Sequence, residues 1–170
     1  MAVRMGVSKD SLTAPEPVEE DIYELKLEGF KPKLSNNGDS VNFNPQLRIV
    51  SGATTGTKYA GKTPLFENLN SNSGWIQNDF VHAFGFPMDE LPDGSLAMPG
   101  QFDGPEDKPE LWKYSGPLVG KTFKAQVIKQ EYEKKDKSKG VSNKIKMYIC
   151  AIPDCNTKYP KMRHSDNLVR

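Results

Sequence analysis

The stretch at residues 118–150 constrains the fold more than any other, because it alternates apolar and polar residues on both sides of a lysine-rich centre. The apolar residues of each side share one parity: Val119, Phe123, Ala125 and Val127 before the centre, and Val141, Ile145, Met147, Ile149 and Ala151 after it. A period of two is typical of a half-buried β-strand. We therefore expect two antiparallel strands joined by a loop at residues 134–140.

Positive charge is concentrated in this hairpin. Residues 121–148 hold nine lysines and three acids, a local balance of +6. The whole chain of 170 residues has a net charge of only +1, because residues 79–112 hold one base and eight acids. Charge segregation of this kind favours binding to a polyanion. The alternative is a solvated hairpin whose lysines protect its edges from pairing with other chains.

The composition bounds the class of protein. The chain is 36% hydrophobic and holds 14 glycines and 13 prolines, which favours short strands and turns over a helical bundle. No apolar run approaches the roughly 18 residues of a membrane span, and the N-terminus lacks the apolar stretch of a secretory signal. The two cysteines, Cys150 and Cys155, do not make a disulfide framework, so a reducing cytoplasm is the simplest compartment.

No catalytic or metal-binding pattern stands out. Cys150, Cys155 and His164 offer three zinc ligands where a structural site needs four, and whether they come together is left open. Residues 116–122 superficially resemble a phosphate-binding loop, but the glycine spacing is one residue short and the segment precedes a strand instead of a helix. We therefore expect a protein that is not an enzyme and that uses no metal or cofactor.

The rest of the chain predicts three more strands and one helix. In order we expect an extended N-terminal arm at 1–20, a strand at 22–30, a turn at 35–39, a strand at 41–49, a third at 62–70, a helix at 73–85, a long loop at 86–116 and a tail at 153–170. Pro45 lies on the inward parity of the second strand and cannot donate to a ladder, so it indicates a sheet edge or a bulge. Ser73 and Gly85 suit the two ends of the helix.

Five strands with a helix between the third and the fourth is the chain order of an OB-fold barrel. We therefore expect a mainly β protein with a five-stranded, OB-fold-like domain at residues 21–152, in which the 86–116 loop is an insertion. In that fold nucleic acid lies on the face of strands two and three, flanked by the loops that join strands one to two and four to five. The lysine-rich loop at 134–140 falls at the four–five position.

Several motifs resemble a family of bacteriophage OB-fold proteins that bind single-stranded DNA or are associated with replication. The likeness covers residues 22–151 without the 86–116 loop, and its motifs are IYELKL at 22–27, KTPLFENLN at 62–70, LVGKTF at 118–123 and NKIK at 143–146. The resemblance implies single-stranded DNA as partner, with replication or recombination proteins as further partners, in the host-cell cytoplasm. The basic C-terminus departs from the acidic tail with which such proteins recruit partners. Homo-oligomer formation is left open.

Binding of single strands needs cations that follow the phosphates and aromatic faces on which bases stack. Tyr132 and Tyr148 lie off the core parity, so we expect them to share a face with Lys124, Lys144 and Lys146, although partial burial under a loop is the alternative for each tyrosine. The predicted nucleic-acid-binding residues are Arg48, Lys62, Lys124, Tyr132, Lys134, Lys135, Lys137, Lys139, Lys144, Lys146 and Tyr148. Tyr59 and Phe66 are further candidate stacking residues. The alternative function is a structural or protein-interaction module of a phage complex.

Overall fold

A five-stranded sheet organises the chain. The computed structural model describes residues 16–152 and 162–164. In chain order its elements are β1 (Asp21–Phe30), β2 (Lys33–Leu34), β3 (Val41–Asn42), β4 (Pro45–Gly52), α1 (Gly74–Ala83), β5 (Asp89–Glu90), β6 (Leu96–Ala97), β7 (Gln101–Asp103), a 3₁₀ helix (Pro109–Leu111), β8 (Lys113–Ser115), β9 (Thr122–Glu133), β10 (Lys139–Cys150) and β11 (Met162–His164). The main sheet has the order β11-β10-β9-β1-β4, and β2–β3, β5–β6 and β7–β8 form three small sheets. The described chain is mainly β, as predicted.

The β9–β10 hairpin is the longest strand pairing. Its register runs from Glu133 opposite Lys139 to Ala125 opposite Tyr148, which confirms the two predicted strands. The pairing of β1 with β9 stops at Asp21 opposite Val127. Residues 128–133 and 139–144 therefore extend past the sheet as a two-stranded segment, which we call the ribbon, with the lysine-rich turn at its tip.

One face of the sheet forms the core together with α1. The inward residues of the strands are at most 3% exposed: Tyr23, Leu25 and Leu27 of β1, Leu47 and Ile49 of β4, and Phe123, Ala125 and Val127 of β9. From α1, Phe80 packs edge-on against Phe123, with the ring centroids 5.5 Å apart. The alternation predicts these positions correctly, whereas Val119, which precedes β9, is 40% exposed.

The predicted second strand is divided at Asn44. This residue has a φ of 43°, in the left-handed region. Asparagine adopts this region more readily than most other residues with a side chain. Before it, β3 pairs with β2, and after it, β4 pairs with β1. Pro45 opens β4, which is an edge strand of the main sheet, so the expectation of an edge is confirmed.

The prediction of a regular third strand at residues 62–70 is wrong. The segment instead makes single contacts with strands on both sides. The backbone N–H of Ile49 donates to the Lys62 carbonyl at 2.9 Å, and Leu65 forms an isolated parallel bridge with Asn143. Pro64 lies between these contacts and has no N–H to donate, which interrupts any ladder.

The predicted long loop, residues 86–116, contains five short elements and is called the insertion below. Its pairs β5–β6 and β7–β8 are only two or three residues long, too short for a period to be visible in the sequence. Phe102 and Tyr114 fix the insertion to the end of β1, since their ring centroids lie 5.3 and 5.0 Å from that of Phe30.

Both predicted termini contribute to the sheet region. Residues 16–20 are fixed to β10 by the buried Asn143 amide, which accepts a hydrogen bond from Val18 N at 2.8 Å and donates one to Val18 O at 3.0 Å. In the predicted tail, residues 162–164 pair in parallel with β10. The remainder of the arm, 1–15, and of the tail, 153–161 and 165–170, lies outside the described residues.

Asp21 connects the start of β1 to the turn after β4. Its Oδ2 accepts hydrogen bonds from the backbone N–H groups of Thr54 and Thr55, and from the Thr55 hydroxyl, each at 2.9 Å. Burial alone would raise the pKa of Asp21, but these hydrogen bonds together with that from Ile22 outweigh burial and lower the pKa below its ordinary value.

The pH dependence of stability tests this contact through Asp21→Asn. Because the pKa is lower in the folded state, the ionised carboxylate stabilises the fold above about pH 4, the ordinary carboxyl pKa, and this contribution is lost as pH falls through the folded value. We expect the variant to have a lower urea midpoint than the wild type at pH 7, with the gap closing below about pH 4. Glu106→Gln, at an exposed position, is the control. A difference in urea midpoint between the variant and the wild type that did not change with pH would contradict the stabilising role of the ionised Asp21 carboxylate.

Candidate nucleic-acid interface

The outer face of the sheet, opposite the core, carries several predicted site residues. Lys124, Ile128 and Tyr132 are spaced by four along β9, so their side chains point to the same side. The register sets Lys144 of β10 opposite Ile128. Both lysines are exposed, and Tyr132 is 42% exposed. The predicted grouping of Tyr132 with Lys124 and Lys144 is confirmed.

Tyr148 does not lie on this face, and the prediction of its exposure is wrong. The register of β10 shifts between Ile145 and Met147, which inserts one extra residue. Since side chains alternate, such a bulge reverses the parity of every residue after it. Tyr148 is 0% exposed, and its ring centroid lies 6.0 Å from that of Phe80 and 5.9 Å from that of Phe123.

The Tyr148 hydroxyl belongs to a buried polar cluster that also holds Glu67 and Asp79. Burial raises the pKa of Tyr148 well above its ordinary value, and the neighbouring charges of Glu67 and Asp79 raise it further. Glu67 is 8% exposed and Asp79 is 0% exposed. Because Glu67 belongs to the 62–70 segment and Asp79 to α1, the cluster joins the segment and the helix to β10.

Lys146 occupies the bulge and is exposed. With Gln126 and Ile128 it lines a shallow groove of about 360 Å³, so it remains beside the outer face. Lys62 is also exposed, at the start of the segment that follows β4. These two positions agree with the accessibility that a phosphate contact requires.

Arg48 is exposed, but its charge is neutralised. Its Nε and Nη2 donate to the Glu28 carboxylate, and its Nη1 donates to the Gly61 carbonyl at 2.6 Å. The hydrogen bond and the charge of Glu28 raise the pKa of Arg48, and the same contacts lower the pKa of Glu28. A phosphate would have to displace Glu28 to reach this guanidinium.

The lysines of the ribbon turn are free of strong ion pairs within the part of the chain that the structure describes. The positions Lys134, Lys135, Lys137 and Lys139 are all exposed. Lys139 approaches Glu131 at 4.0 Å, with side chains 80% and 71% exposed, and such a pair contributes little. The turn therefore presents concentrated positive charge to solvent.

Tyr132 has a defined position on the ribbon because it lies across Gly140. The register places the two residues opposite each other. A Cβ at position 140 would lie only 2.5 Å from the Tyr132 Cζ atom, so any larger residue there would displace the ring. The absence of a side chain at Gly140 therefore leaves the space in which the ring lies against the neighbouring strand.

Phe66 is a functional candidate that the sequence alone ranked low. It is 86% exposed, the highest value among the described large hydrophobic side chains. It borders a groove of about 420 Å³ between β4 and the 62–70 segment, to which Lys31, Gln46 and Thr63 also contribute. The signal is the alternation of the segment: Leu65, Glu67 and Leu69 turn inward, which leaves Phe66 outward.

Three further expectations from the sequence concern a metal site, a disulfide bond and a membrane-spanning segment. Among the described residues, no group of three or more His, Cys, Asp and Glu side chains could hold a metal ion. Cys150 is buried and disulfide-bonded, which the cysteine count did not lead us to expect, and Cys155 lies outside the described residues. Within 16–152 and 162–164, no helix is both long and apolar enough to cross a membrane.

Comparison with known proteins finds no matching family model, no matching curated protein and no matching solved structure. The candidate interface is therefore defined by its geometry. It contains the outer-face residues Lys124, Tyr132, Lys144 and Lys146, the turn lysines Lys134, Lys135, Lys137 and Lys139, and the groove with Phe66. Tyr148 lies inside the core and Arg48 is held by Glu28.

The two tyrosines should respond differently to truncation. Tyr148→Ala removes a fully buried ring, so we expect the free energy of unfolding to fall by about 3–5 kcal/mol. Tyr132→Ala removes a half-exposed ring and should cost no more than about 1 kcal/mol. Urea denaturation followed by circular dichroism measures both, and equal losses would contradict the placement of Tyr148.

Proposed function

We propose that this protein binds single-stranded DNA, without marked sequence preference, through its outer face and the ribbon. The observation that carries the proposal is the combination of exposed aromatic rings with uncompensated lysines. Tyr132 shares a face with Lys124 and Lys144, and Phe66 is 86% exposed beside a groove. Bases stack on such rings while lysines follow the phosphates.

An OB-fold-like barrel is part of the proposal. The 62–70 segment contacts β10 through the bridge of Leu65 with Asn143, and it contacts the β3–β4 side through the bridge of Asn70 with Asn42. It would thus complete a closed arrangement between β4 and β10, with α1 following it in the chain. In such a barrel the groove beside Phe66 lies on the face of strands two and three, and the ribbon turn is the four–five loop.

The mechanism needs no catalytic group or cofactor. Each lysine that neutralises a phosphate releases condensed counterions, which makes affinity depend strongly on salt. Every base has a π-face, so stacking on Tyr132 and Phe66 would tolerate any sequence. A role in replication or recombination, in a bacteriophage setting, follows from the resemblance of the motifs and belongs to the same proposal.

The ribbon lysines are tested by changing Lys134, Lys135, Lys137 and Lys139 together to alanine. A single strand loses about 0.7 in the slope of log affinity against log salt for each phosphate contact, so we expect the slope to fall by up to about 3. Fluorescence anisotropy with labelled oligothymidine at several salt concentrations gives both slopes.

The matched control changes four exposed lysines that lie away from the ribbon: Lys33, Lys108, Lys113 and Lys121. It removes the same charge and should leave the slope close to that of the wild type. If the wild type does not bind oligothymidine at low salt, or if both variants lose the same slope, the proposal fails.

Phe66→Ala tests stacking in the groove. Loss of one base–aromatic stack should weaken binding by about 1–3 kcal/mol at every sequence alike, while the salt slope stays unchanged because no charge is removed. Phe66→Trp should restore affinity, and Val119→Ala, at an apolar residue that is 40% exposed and lies in neither proposed surface, serves as control. An effect confined to one oligonucleotide sequence would indicate base-specific readout instead.

A further inference from the structure

The insertion presents an acidic surface that includes exposed leucines. In β5–β6, residues 89–97 contain three acids and no base. Leu91 is 43% exposed and Leu96 is 62% exposed. Beyond this hairpin, residues 103–110 add four acids and one lysine. Apolar side chains rimmed by charge are typical of a surface that contacts another macromolecule.

The ribbon presents the complementary surface. Residues 129–144 contain six lysines and three acids, a balance of +3. One exposed apolar side chain, Tyr132 at 42%, lies on the outer face of the ribbon with this charge, whereas Val141, also 42% exposed, lies on the opposite face. Both surfaces therefore combine apolar contact area with charge, and the two charges are opposite in sign.

The two surfaces lie at opposite ends of β1. The ribbon begins beyond Asp21, the first residue of the strand, where the pairing with Val127 ends. The insertion packs on Phe30, the last residue. A strand of ten residues is about 30 Å long. This separation exceeds the Debye length of about 10 Å at 0.1 M salt.

Contact within one molecule is therefore blocked by the fold. The insertion is held in place by ring packing of Phe102 and Tyr114 on Phe30, and the ribbon continues a regular ladder out of the sheet. Complementary surfaces at the two ends of the same strand, held in this way, can meet only between two molecules.

We propose that the insertion of one copy of this chain docks on the ribbon of the next copy, head to tail. Such a contact is heterologous, so it extends along a row of subunits unless the rotation between neighbours closes a ring. The apolar groups Leu91 and Leu96 would face Tyr132, with acids around them meeting the turn lysines. This association goes beyond the proposed function, and single-stranded DNA would compete with the neighbouring copy for the same lysines.

Two charge-reversal variants test the contact. The insertion variant carries Asp89→Lys, Glu90→Lys, Glu106→Lys and Asp107→Lys, which changes the balance of residues 89–110 from −6 to +2, so that both of its surfaces are basic. The ribbon variant carries Lys134→Glu, Lys135→Glu and Lys139→Glu, so that both of its surfaces are acidic. We expect the wild type to self-associate at 50 mM salt and to dissociate at 500 mM salt in sedimentation velocity, while each variant alone stays monomeric at 50 mM.

An equimolar mixture of the two variants should recover association, because each basic surface then meets an acidic one. Recovery also shows that both variants are folded. The control variant carries Lys26→Glu, Lys33→Glu and Lys121→Glu. It has the same change in net charge as the ribbon variant, but at positions outside the ribbon, and should still associate. A monomeric wild type at 50 mM salt, a mixture that stays monomeric, or a control that dissociates like the ribbon variant would overturn the proposal.

Oligothymidine separates this inference from the proposed function. Added to the wild type at 50 mM salt, it should shift the sedimenting species from assemblies to complexes of single copies with DNA. Association of the wild type without any DNA binding would support the docking contact and remove the proposed function. DNA binding by a protein that never self-associates would overturn the docking contact alone.

Discussion

The buried amide of Asn143 is the contact on which most of the described architecture depends. It provides one acceptor and one donor to the backbone of Val18, and its own backbone bridges Leu65. One residue of β10 thereby holds the N-terminal segment and the 62–70 segment against the same strand. Loss of the amide would leave the buried backbone groups of Val18 unsatisfied, at about 1–3 kcal/mol each.

The alternation of apolar and polar residues predicts those parts of the fold that depend on burying one face of a strand. The period of two along β1, β4 and β9 reflects burial of one face, so residues such as Leu25 and Phe123 could be placed from the sequence. The bulge before Met147 depends on how β10 meets β9, and no residue type marks it. The predicted parity therefore failed at Tyr148, although the strand itself was found.

The same distinction applies to the candidate interface. The turn lysines are close together in sequence, so their charge could be recognised without a structure. The neutralisation of Arg48 depends on Glu28, twenty residues away on the neighbouring strand, and only the register of the two strands brings them together. Phe66 is only a further stacking candidate from the sequence, and its exposure of 86% became evident from the fold.

The glycine opposite Tyr132 has a consequence for binding entropy. Because Gly140 lets the ring lie against the adjacent strand, the ring already has a place on the folded hairpin before a ligand binds. An ordered side chain avoids a cost of about 0.5–1.5 kcal/mol that an unordered one would incur on association. The tip of the ribbon would thus combine long, freely rotating lysines with one preorganised aromatic surface, so that the electrostatic contacts adapt to the ligand while the aromatic contact sets its position.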